Sequence, residues 1–244
     1  MSKRKTKLIV LVGTPGSGKT FLLMKFLKFR DRNLILPSNV MDDTFDSANP
    51  KKLALSFEWL TDPKDFHEKR MIKKYDISNI KSFKGNAIVD LSSIEDNEGQ
   101  RDMFKALVSQ EGIQNAGLFI DDFKNYVIAK GTLPWGVSAI LRNRRHRMLD
   151  IFLAAHSFSD INAEILQFGA EIIVFKTTIQ PTKNFMEKIS EHKRPELISM
   201  IHRVNNVVSR GEKKYSDYEA ANPGVKVPIE IIKEKFYCER FKTV

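Results

Sequence analysis

Eight residues near the start constrain this chain more than any other stretch. Gly13-Thr14-Pro15-Gly16-Ser17-Gly18-Lys19-Thr20 follows a short, nearly all-apolar run, Lys7–Val12, and opens a segment of helical spacing, Lys19–Phe29. An apolar run of that length ending at glycine reads as a strand buried on both faces, and such strands belong to parallel sheets covered by helices. Glycines let the backbone wrap closely around an anion, and the amides that open a helix point their positive ends at it. The pattern therefore predicts a strand, a phosphate-binding loop and a helix, in that order. Lys19 is expected to reach the β- and γ-phosphates and Thr20 to ligate Mg²⁺, which makes ATP and Mg²⁺ the expected cofactors. Gly13 to Thr20, with Phe21 beside them, form the expected nucleotide-binding set.

The rest of the chain repeats the strand and helix rhythm. Strands are expected at Leu34–Leu36, Ala87–Leu91, Gly117–Ile120, Leu149–Ala155 and Ile172–Thr177. Helices are expected at Gln100–Gln110, Trp135–Arg144 and Asn162–Gln167, the last capped by Asp160. This is an α/β pattern with helices on both sheet faces. Residues 1–180 read as the core, with a basic insertion at about 38–85. Residues 181–244 form an extension with helical stretches, a turn at Asn222-Pro223-Gly224 and a strand-like run at Val227–Ile232. Whether that extension finishes the core or forms a lid is open at this level.

Composition removes other classes. With 42% apolar and 29% charged residues the chain is neither disordered nor low in complexity. No apolar run approaches the ~18 residues of a membrane span, and the lone Cys238 cannot close an internal disulfide. A cytoplasmic location is expected. The net charge of +10 favours polyanionic partners.

Two more constellations carry chemistry. The strand Gly117–Ile120 ends in Asp121-Asp122. An acid at such a position holds Mg²⁺ through water, the role expected of Asp121, and a second carboxylate can act as general base toward water, the role expected of Asp122. Arg142, Arg144, Arg145 and Arg147 then precede the strand ending at His156. These arginines can stabilise charge on a transferring phosphoryl or grip a nucleic-acid backbone, and the sequence alone does not divide those tasks. His156 is expected to hydrogen-bond the γ-phosphate or the attacking water.

The order of glycine loop, acid-ended strand, arginine-bearing helix and sensor strand, followed by DINAEILQFGAEIIVF, resembles the HerA/FtsK superfamily of DNA-pumping ATPases over roughly residues 7–180. Within it the compact size is most similar to genome-packaging ATPases of double-jelly-roll, internal-membrane-type viruses. The resemblance implies an additional-strand, RecA/FtsK-like P-loop NTPase. Its mainly parallel sheet would carry the sensor strand between the phosphate-loop strand and the acidic strand. It also implies a homo-oligomer, a hexameric ring with DNA in its pore, and arginine fingers acting in trans. Arg142 and Arg145 carry over as fingers by their spacing before the sensor strand, with no choice between them. Family members often have Asp-Glu where this chain has Asp121-Asp122, and Gln where it has His156.

The expected function is thus an ATP-hydrolysing nucleic-acid translocase that loads a viral genome into a preformed capsid, located in host cytoplasm or with the virion. Contact with capsid vertex proteins, a membrane surface or the pore is left open for residues 38–85 and for the tail. The alternatives are a nucleotide-switched assembly protein resembling the zonula-occludens-toxin family and a small-molecule kinase.

Overall fold

The computed structural model describes residues 5–36, 51–52, 85–88, 97–109, 113–225 and 237–243. Nearly all of the expected insertion, the last residues of the strand expected at Ala87–Leu91, and the whole strand expected at Val227–Ile232 lie outside the described residues.

Eight strands form one sheet: β1 Leu8–Val12, β2 Arg32–Leu36, β3 Lys51–Lys52, β4 Gly85–Ile88, β5 Gly117–Ile120, β6 Asp150–Ala155, β7 Glu171–Val174 and β8 Glu239–Lys242. Their spatial order is β3-β4-β2-β5-β6-β1-β7-β8. All neighbours run parallel except β7 and β8, which are antiparallel. The sensor strand β6 lies between β1 and β5, as the resemblance implied, with Val12 opposite Ala155 and Ile120 opposite Leu153.

Alternation along the buried strands divides the core in two. Leu8, Val10 and Val12 face a large cluster that holds residues of α2 (Asn97–Ser109), α3 (Trp135–Asn143) and α5 (Arg194–Ala221). Ile9 and Leu11 face the opposite side, where α1 (Lys19–Phe26) contributes Leu23 and a 3₁₀ turn adds Leu27. On that side Phe119 and Phe152 stack across β5 and β6 with centroids 4.5 Å apart. Leu11 is fully buried there, so truncation to alanine costs about 2–5 kcal/mol.

The extension builds on this sheet. Thr182 caps the short helix α4 (Lys183–Glu187) by accepting from the Phe185 amide at 3.3 Å. Leu197, Met200, Ile201 and Val204 of α5 are buried in the core. Phe241 buries from β8, and Thr243 donates to the Ala170 carbonyl at 2.6 Å. The tail therefore finishes the sheet edge. No helix of the described residues is long and apolar enough to cross a membrane.

Candidate active site

Parallel strands deliver their C-terminal ends to one edge, and the glycine loop, the acid pair and His156 meet there. The loop follows β1. Its root is tied down by the Gly13 amide donating to Ala155 O at 3.2 Å and the Thr14 amide donating to Lys176 O at 2.8 Å. A Cβ on Gly13 would stand 2.6 Å from Phe175 Cβ and 2.7 Å from Ser17 Oγ, so only glycine fits between loop and β7. Gly16 and Gly18 have φ of 72° and 97°, in the left-handed region where glycine is unstrained. The chain then enters α1 at Lys19, with no side-chain cap from Gly18, and the opening amides of a helix point out toward a ligand.

Lys19 is 5% exposed. Its Nζ donates to Gly13 O at 2.7 Å and Thr14 O at 2.9 Å, and stands 3.5 Å from His156 Nδ1. Burial pushes this ammonium below its ordinary value, while Asp121, Asp122 and Asp160 pull it back up. Thr20 donates its hydroxyl to Asp121 Oδ2 at 3.3 Å, bringing the two expected metal residues together across β1 and β5. Phe21 is half-exposed, with Lys25 Nζ 4.4 Å from its ring centre.

Asp122 is not the helix cap that an acid at a strand end often is. It precedes a 3₁₀ turn, Phe123–Asn125, yet makes no side-chain capping bond. Its backbone is left-handed (φ 51°, ψ 63°), a conformation that costs a non-glycine residue roughly 1–2 kcal/mol. Its Oδ2 accepts from Asn125 Nδ2 at 3.3 Å and lies 3.5 Å from His156 Nε2 and 3.8 Å from Lys124 Nζ. Its Oδ1 is buried with no hydrogen-bond partner among the described residues, and so is Ser17 Oγ. Strain and an orphaned buried oxygen at one residue are features that persist at working sites.

His156 bridges the two halves. An ammonium only donates, so Nδ1 facing Lys19 is assigned as acceptor and Nε2, facing Asp122, carries the proton. Two contributors went unrecognised in the sequence. Asn125 steadies Asp122 from three residues along. Asp160 takes the Ser157 hydroxyl at 2.9 Å and adds negative charge near Lys19. Asn125 belongs to no motif, although it lies three residues from the acid pair, and Asp160 opens the DINAEILQFGAEIIVF segment but reads there only as a helix cap. Asp160 is also a correction. The turn Ala163–Phe168 is a 3₁₀ helix capped by Asn162, which accepts from the Glu164 amide at 3.0 Å.

The arginines lie at the other edge of the sheet. Arg142 and Arg145 are exposed where α3 ends, before β6 begins at Asp150. The six residues of β6, about 20 Å of strand, separate that end from His156, so neither arginine reaches Lys19 of its own chain. Arg144 turns inward, donating to Leu141 O at 2.9 Å and Phe168 O at 2.6 Å, and burial lowers its pKa first, Arg145 second.

The residues fit a metal-bound nucleoside triphosphate. The glycine cradle, a helix start, one lysine, one threonine hydroxyl and one nearby carboxylate are oxygen and amide groups suited to phosphate and to a hard cation. No family model matches the chain, and no curated protein does. Solved structures do. The genome packaging NTPase B204 from Sulfolobus turreted icosahedral virus 2 in complex with AMP superposes with a TM-score of 0.55 at 18% identity. The same protein in complex with AMPPCP gives 0.53 at 17%, and both superpositions cover 80% of this chain and 86% of that one. The fold is that of a P-loop NTPase. The N-terminal domain of zonular occludens toxin from Neisseria meningitidis lies further away, at a TM-score of 0.39, 15% identity, and coverage of 71% of this chain and 79% of that one. At that distance it carries no argument here.

Proposed function

We propose that this chain is an ATPase that couples hydrolysis to movement of nucleic acid, working as a ring of identical subunits that loads a viral genome into a preformed capsid. One observation carries the reading. Lys19, His156 and Asp122 form a chain of 3.5 Å contacts from the phosphate loop across β6 to the end of the acidic strand. That arrangement links an anion-binding lysine through one imidazole to a carboxylate at the end of the acidic strand, the pair of groups that water-attacking phosphoryl chemistry needs. A kinase for small metabolites needs an acceptor pocket instead of a base for water.

The amides of residues 16–20 and the Lys19 ammonium hold the β- and γ-phosphates. Thr20 and Asp121 hold Mg²⁺, which when bound screens phosphate charge and polarises the scissile bond. Asp122 accepts a proton from the attacking water, with its Oδ2 steadied by Asn125 and His156. His156 keeps its Nε2–H toward Asp122 and the water. Arg142 and Arg145 serve the site of a neighbouring subunit, because they lie at the opposite edge from their own. The net charge of +10 suits a polyanionic cargo. The likeness in fold to a protein described as a genome packaging NTPase supports genome loading as the task, which would take place in host cytoplasm or with the virion.

The test is phosphate release from Mg-ATP with and without single- and double-stranded DNA at rising salt. DNA should stimulate turnover, and the stimulation should fade as salt rises. Turnover indifferent to nucleic acid would leave a nucleotide-switched assembly protein as the better reading.

A further inference from the structure

The stretch between the acid pair and β6, residues 123–149, holds six Lys and Arg (Lys124, Lys130, Arg142, Arg144, Arg145, Arg147) and no Asp or Glu. Its first part is a loop whose anchors point inward and whose tips point outward. Tyr126, Val127 and Leu133 are buried, and Tyr126 packs on Phe104 with ring centres 5.5 Å apart. Between and beyond them Ile128 is 56% exposed, Lys130 is exposed, and Trp135 at the start of α3 is 81% exposed. A tryptophan with that much surface in water is unusual, because its large ring is normally mostly covered.

The loop is held in shape. Asn162, itself 1% exposed, donates its Nδ2 to Ile128 O at 3.2 Å and Gly131 O at 2.9 Å. Glu164 accepts from the Leu133 amide at 3.0 Å. Gly131 provides the left-handed bend with φ of 85°. Asn162 and Glu164 follow the sensor strand that carries His156, and the loop starts at Asn125, which holds Asp122. One end of this display is therefore joined through Asn125 to Asp122, and its body to the segment that follows the sensor strand.

We propose that residues 127–135 are a nucleic-acid grip for single strands: one base stacks on Trp135 against Ile128 while Lys130 meets the backbone phosphate. The inference rests on the translocase reading and adds to it the element that holds the cargo. An aromatic face held open to solvent on a loop that also exposes a cation, Lys130, matches the chemistry of a strand with unpaired bases. A duplex, whose base faces are already stacked, offers only its backbone to such a loop.

The experiment uses full-length protein carrying Trp59→Phe, which leaves Trp135 as the sole tryptophan. Its emission is followed during titration with oligothymidylate and with a duplex of equal length. Oligothymidylate should quench Trp135, Trp135→Ala should weaken its binding about tenfold, and Trp135→Tyr should retain most of the affinity. Lys130→Gln should reduce the salt slope of binding by about one. A Trp135→Ala protein that binds oligothymidylate as the Trp59→Phe parent does overturns the grip, as does quenching by duplex alone. Loss of an oligomer in Trp135→Ala with binding intact overturns it too, by making this face a subunit contact. If the parent binds no nucleic acid at all, the translocase reading itself fails.

Discussion

Replacing Asp122 by glycine separates working strain from structural need. In the parent the residue is left-handed at φ 51° and buries an Oδ1 with no partner among the described residues. Glycine removes a backbone penalty of about 1–2 kcal/mol and the orphaned oxygen, worth about 1–3 kcal/mol. Against this stand the extra freedom of glycine in the unfolded chain, about 0.5–1 kcal/mol, and the contacts of Oδ2. Those contacts are long, 3.3 Å to Asn125 and 3.5 Å to His156, and together amount to about 1–2 kcal/mol. Lys19 also loses a nearby negative charge. By these ranges the variant lies between about 1 kcal/mol less and about 3.5 kcal/mol more stable than the parent before the loss at Lys19, so Tm should fall by no more than about 2–4 °C for a chain of this size. Hydrolysis should fall about 10²–10⁴-fold, the usual contribution of a general base. The assays are calorimetric melting and steady-state phosphate release on the same preparation. Were Asp122 a structural anchor, its removal would cost about 3–5 kcal/mol, as for a broken buried ion pair, and Tm would fall by more than about 6 °C. Such a fall, or hydrolysis within tenfold of the parent, would refute the assignment.

Other consequences follow from the same geometry. Arg144→Ala should destabilise the fold by about 3–6 kcal/mol at most, through loss of two hydrogen bonds from a buried guanidinium, and so lower Tm, whereas Arg142→Ala and Arg145→Ala should melt like the parent. Mixed oligomers of Lys19→Ala with either Arg142→Ala or Arg145→Ala should regain hydrolysis that each lacks alone; failure with both arginines, in verified mixtures, removes the trans finger. Gly13→Ala should cost about 1–3 kcal/mol by overpacking, since its Cβ meets Phe175 at 2.6 Å; melting unchanged from the parent would mean that the loop yields. Burial holds the Lys19 pKa below its ordinary 10.5, so the unfolded chain binds more protons between the depressed value and 10.5, and parent stability there rises with pH. Relative to Lys19→Met, the parent should therefore gain in Tm as pH climbs toward 10.5, and a difference constant with pH would contradict the burial argument.

The sheet centre was readable because its strands are buried on both faces. β1 and β5 announce themselves as unbroken apolar runs, and β6 as one that follows Asp150. The phosphate loop was readable for a similar reason, since its glycines answer to backbone constraints that few other residues satisfy. The position of β6 between β1 and β5 is a different matter: no local pattern encodes it, and it came through resemblance alone. β8 stayed hidden because only Phe241 in Glu-Arg-Phe-Lys is buried, as befits a charged edge strand. Four arginines in six residues look alike in sequence, and only packing turns Arg144 inward while leaving Arg142 and Arg145 in solvent. The left-handed turn at Asp122 and the cap at Asn162 depend on contacts made across the fold, which spacing along the chain does not carry.

The most direct measurement is phosphate release from Mg-ATP by the purified parent and by Lys19→Ala. An intact phosphate cradle predicts turnover in the parent and background rates in the variant, with its fold retained by circular dichroism. Undiminished hydrolysis in Lys19→Ala would mean that the triphosphate is held elsewhere on the molecule.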